Sequence, residues 1–196
     1  MPRRHLWRWA IMISSNTFHV VATELVVGAY SLAGLAFLFC WLSPRLPFSL
    51  HDKQASGDAV AHAALMFGLL ATPFAIWSGL SSAPGGEMGS ALLANKMLFS
   101  LSGLGLASAT VVVRLRTGIS VWDSTRSSTI QALSGVGATG LMLLTASAGG
   151  TFARGESLLD WLHLPYNETL LMPTFLSVLL LLLGITCATI GLRSSA

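Results

Sequence analysis

Few side chains of this 196-residue chain are ionisable, and several of those fall inside apolar runs. Glu24 stands about two turns into the run Thr17–Leu42, and Lys96 about one and a half turns into the run Ala91–Val113. A charge at the centre of a bilayer costs ~2.5–3.5 kcal/mol, so two opposite charges at similar depth are expected to pair between the first and third runs. The alternative is a Lys96 that snorkels to the headgroups and a protonated Glu24. Asp58 and His62 share one helix face at i, i+4 spacing, which suits a proton relay or a solvated first turn. Haem b in a helical bundle needs two imidazoles at similar depth. On its own side of the bundle His19 can meet only His163 or His5, and His62 only His51 in a loop. His19 with His163 is therefore the haem-b pair to test, against an interfacial histidine bonded to a neighbour or to water. No residue reads as catalytic.

The elements that carry these residues follow from composition. Hydrophobic residues make up 53% and charged residues 10% of the chain, and mean hydropathy is +0.70. A soluble domain carries roughly 25% charged residues to cover its surface. The sequence therefore predicts an all-α integral membrane protein. Spanning hydrocarbon needs ~20 apolar residues, and five runs qualify: 17–42, 56–80, 91–113, 129–149 and 170–192. Hydrocarbon offers the backbone no hydrogen-bond partners, so each run must be a helix. The expected architecture is a single membrane domain over 1–196, a five-helix bundle with its termini on opposite faces.

Short interfacial helices are expected at Arg3–Ser14 and in the fourth loop, where Ser157-Leu158-Leu159-Asp160 has the form of a capping box. The tryptophans Trp7, Trp9, Trp41, Trp77, Trp122 and Trp161 fall at span ends or in loops, as an aromatic belt would place them. Lys and Arg divide almost evenly between the two faces and set no orientation. Small residues such as Gly103/Ala107 and Gly135/Thr139 predict that the third and fourth spans form the centre of the bundle.

Residues of about 16–156 resemble the membrane family catalogued as domain of unknown function 2231. Phe18-His19-Val20-Val21-Ala22 is similar to its His-bearing first helix, and Ala148-Gly149-Gly150-Thr151-Phe152-Ala153-Arg154-Gly155 to its Gly-Gly motif and Gly-bearing tail. The family often carries another His at the start of the third helix, where this chain has Asn95-Lys96. The resemblance implies a small helical bundle associated with redox or other membrane systems, and no particular reaction.

The remaining motifs exclude more than they suggest. Cys40 and Cys187 form no C-x-x-C pair, which excludes a c-type haem attachment site and a zinc knuckle built on paired cysteines. No metal site is expected. The basic residues stand in twos and threes beside apolar runs, so no nucleic acid is expected as a partner. The sequence contains no P-loop, H-E-x-x-H or G-x-S-x-G motif. The expected role is a non-catalytic, multi-pass subunit of a larger membrane assembly, bioenergetic in character. It would have other membrane subunits and lipid as partners, with lipids bound, in the cytoplasmic membrane of a prokaryote. The alternatives are a haem-b electron carrier and a small proton-coupled transporter.

Overall fold

A computed structural model describes residues 14–45, 51–82, 90–157, 159–163, 168–173, 175–176, 178–179 and 182. It is helical, with no strand among the described residues. The long helices are α1 (Ser15–Leu42), α2 (Gln54–Ser82), α3 (Ala91–Thr117) and α4 (Thr125–Arg154). All four are long and apolar enough to cross a membrane. The fifth expected span, 170–192, lies for the most part outside the described residues, as do the N-terminal arm and Cys187.

Each helix outlasts its apolar run at one or both ends, because polar caps continue the backbone ladder. Ser14, Ser90 and Ser124 open α1, α3 and α4 by accepting the N–H of the residue three places on, at 3.1, 3.2 and 3.1 Å. At the end of α1, Ser43 Oγ and Gln54 Nε2 donate to the Cys40 carbonyl at 3.2 and 2.9 Å, and Arg45 donates to the Trp41 carbonyl. Gly118 (φ +64°) ends α3 and Gly155 (φ +78°) ends α4, both in the left-handed region that a side chain resists.

The described chain forms two compact units: Met1–Glu87 with Phe99–Ala146, and Met88–Leu98 with Ser147–Ala196. In the first unit α1 is the hub. Its most apolar stretch is 44% buried, against 39% for α4 and 33% for α2 and α3. The reason is steric. The Tyr30 ring fills the space a Cβ would take at Gly68 of α2, and the Phe37 ring does the same at Gly135 of α4. Thr139 lies against Gly34, and its hydroxyl donates to the Tyr30 carbonyl at 2.7 Å. Gly103 and Gly137 do form a seam between α3 and α4, against Met142 and Leu106. Gly105, however, meets nothing within 4 Å. The small residues of α4 thus serve α1 as much as α3, and of the four spans α1 is the most buried, followed by α4.

Candidate functional site

At one end of the first unit three elements bring polar side chains to Asp58, in the second turn of α2. Asp58 is 1% exposed, so its charge must be matched on the spot. Arg114, in the last turn of α3, approaches one carboxylate oxygen twice: Nε donates to Oδ2 at 2.8 Å and Nη2 lies 2.7 Å from the same atom. Trp122 closes the 3-10 turn Gly118–Trp122, and its Nε1 donates to Oδ1 at 2.7 Å. His62 Nδ1 lies 3.0 Å from Oδ1 and 2.8 Å from the Asp58 carbonyl. Helical spacing places it there, one turn along the same face.

The protonation of His62 follows from its other side. Gln131, in the second turn of α4, directs Nε2 to the Thr110 carbonyl at 3.1 Å, which only a donor satisfies. The same amide nitrogen stands 2.9 Å from His62 Nε2. His62 Nε2 must accept, so the ring is neutral with its proton on Nδ1, directed at the Asp58 carbonyl and carboxylate. Phe37 of α1 closes the cluster edge-on to the imidazole, with centroids 5.0 Å apart. The result is one carboxylate, one guanidinium and a neutral imidazole, with net charge zero and both imidazole nitrogens in use. Neither Asp58 nor His62 forms a solvated first turn, since both are buried. Trp122 does not belong to a headgroup belt, because its indole is buried and spends its N–H on Asp58.

Helical spacing alone puts Asp58 and His62 on one face, but it joins neither to Arg114, Trp122 or Gln131. Gln131 carried a usable signal: a carboxamide inside an apolar span needs partners.

The other candidate residues have neighbours of their own. His19 of α1 is half-buried, its Nδ1 3.1 Å from Ser78 Oγ of α2, and its ring fills the space beside Gly79. Glu24 lies exposed on α1 in the first unit. Lys96 belongs to the second unit, where its side chain runs over Gly149: a Cβ there would stand 3.2 Å from Nζ. Gly150 likewise makes room for the Arg154 guanidinium. The Gly-Gly motif of α4 therefore clears space for two basic side chains. His163, also in the second unit, is exposed and left-handed (φ 48°), and its Nδ1 donates to the Trp161 carbonyl at 2.9 Å.

Beside Lys96, Asn95 works as a two-pronged clamp: Nδ2 donates to the Thr169 carbonyl at 2.7 Å and Oδ1 accepts from the Leu171 N–H at 3.0 Å. Ser157 and Asp160 meet, but not as a full capping box: Ser157 N and Oγ both donate to the Asp160 carboxylate, at 2.6 and 2.9 Å, and Ser157 Oγ accepts from the Leu159 N–H at 3.3 Å rather than from residue 160. The element that follows is a single 3-10 turn, Asp160–Leu162, with Leu159 at its N-cap and no side-chain cap, rather than an interfacial helix. Among the described residues no three His, Cys, Asp or Glu side chains converge as a metal site would require.

No family model, no curated protein and no solved structure matches the chain.

Proposed function

We propose that this chain is a multi-pass integral membrane protein that serves as a non-catalytic subunit of a larger membrane assembly. The observation that carries the reading is the closed Asp58 cluster. Its carboxylate holds three side-chain donors and its imidazole uses both nitrogens, so the polar atoms are spent on joining helices. A cluster of this kind fixes the register of apolar helices, because any other register strands a buried charge. Outside it the helices present large apolar side chains, among them Leu35, Leu70, Leu115 and Leu133. Such a surface suits lipid and neighbouring helices. The haem-b and transporter readings draw less support: His19 faces Ser78, and His62 is bonded on both sides.

The test is extraction in mild detergent followed by native electrophoresis with a tagged chain. The subunit reading expects one defined band well above the mass of the single chain, and the same partners after a second purification step. A chain that migrates alone in several mild detergents overturns it.

A further inference from the structure

Next to the Asp58 cluster, and sharing Trp122 with it, the same end of the first unit holds an open cleft of about 540 Å3. Its walls come from Pro44 and Arg45 just after α1, the start of α2, Trp122 with Asp123, and the first turns of α4. Two unlike charges border it, Arg45 and Asp123. Both are exposed, and among the described residues neither belongs to an ion pair; the ion pairs there are those on Asp58. Arg45 is held through its side chain and Asp123 through its backbone. The Arg45 guanidinium lies over the Trp41 ring, 4.3 Å from its centroid, and donates to the Trp41 carbonyl. Asp123 follows the 3-10 turn, its backbone N–H donating to the Ser120 carbonyl at 3.0 Å. Between them Gln54, Thr125 and Ser128 add an amide and two hydroxyls.

Opposite charges that line one cleft without pairing complement a ligand that carries both charges itself. We propose that this cleft seats the headgroup of phosphatidylethanolamine, its phosphate on Arg45 and its primary ammonium on Asp123. The inference rests on the reading that the four helices cross a bilayer, which puts the helix ends at headgroup depth. Phosphatidylglycerol has no cation for Asp123 and is repelled by it. Phosphatidylcholine has a quaternary nitrogen with no N–H to donate. A primary ammonium gives Asp123 charge-assisted hydrogen bonds, and the guanidinium does the same for the phosphate.

The experiment titrates the delipidated, detergent-purified full chain with the three lipids, acyl chains matched, and reads retention by native mass spectrometry. Phosphatidylethanolamine should be retained about tenfold better than the other two. Arg45→Gln should remove most of that retention. Asp123→Asn should bring phosphatidylglycerol level with or above phosphatidylethanolamine. Both residues are exposed, and unchanged helicity by circular dichroism confirms that the variants fold. Equal retention of the three lipids, or a preference that survives both substitutions, overturns the proposal. So does displacement by soluble phosphoethanolamine at equal concentration, which would make the source a free metabolite. Alkaline carbonate washing separates the two levels of failure. Release from the membrane sinks the bilayer reading, whereas a chain that stays but shows no preference sinks the cleft alone.

Discussion

Asp58 and Asp160 are the same side chain used in opposite ways. Asp160 is exposed and bonds within its own turn, to Ser157 three residues earlier. Asp58 is buried and gathers Arg114 and Trp122 from 56 and 64 residues away. Water stands ready to replace any bond Asp160 loses, so its turn is a local convenience. Nothing replaces the partners of Asp58, so its bonds determine which helix ends meet. A carboxylate shapes a fold in proportion to how little solvent could stand in for its partners.

The sharpest way to break the contrast is Asp58→Ala. It leaves a guanidinium and an indole N–H without their acceptor, while His62 keeps the backbone carbonyl of residue 58, and should cost about 3–5 kcal/mol of stability. Thermal unfolding in detergent reads this as a large fall in Tm. Asp58→Leu combined with Arg114→Met should recover much of the loss, since removing both charges leaves none stranded; strictly additive losses would show that the pair does not act as a unit.

A smaller effect is expected at the far side of the imidazole. Gln131→Leu removes the donor that His62 Nε2 accepts and should cost about 1–3 kcal/mol. It should also free the tautomer: the Nδ1–H form dominates the wild-type 15N spectrum of His62 and should lose that dominance in the variant. A wild-type ring protonated on Nε2 would contradict the assigned network. The smallest effect belongs to the other acid. Asp160→Ala should shift stability by about 1 kcal/mol or less, the usual range for an exposed turn or capping contact. A loss comparable to that of Asp58→Ala would erase the distinction between the two aspartates.

Much of this molecule was legible in the chain because hydrocarbon permits so few solutions. Apolar runs of membrane-spanning length must close their hydrogen bonds internally, so the four described helices stand where the runs stand. Ser157 and Asp160 were readable for a related reason: a contact spanning three residues is set by local geometry.

What only the tertiary structure decided is which faces meet. Helices that are apolar all round carry no stripe to mark an inside. Nothing in the order of residues told that Phe37 would enter the notch at Gly135, or that α1 would outdo α3 as the hub. Nor did it distinguish Trp122 from the tryptophans around it, since an indole at a span end serves equally as a belt ring or as a buried donor. The partners of Asp58 and His62 lie 56, 64 and 69 residues along the chain, and only packing in three dimensions selects them from the other polar groups at the same depth. The sequence determined the helices and roughly where their polar residues would lie. The fold decided which of those residues touch, because a charge shut away from water has to be met by whatever its neighbours bring.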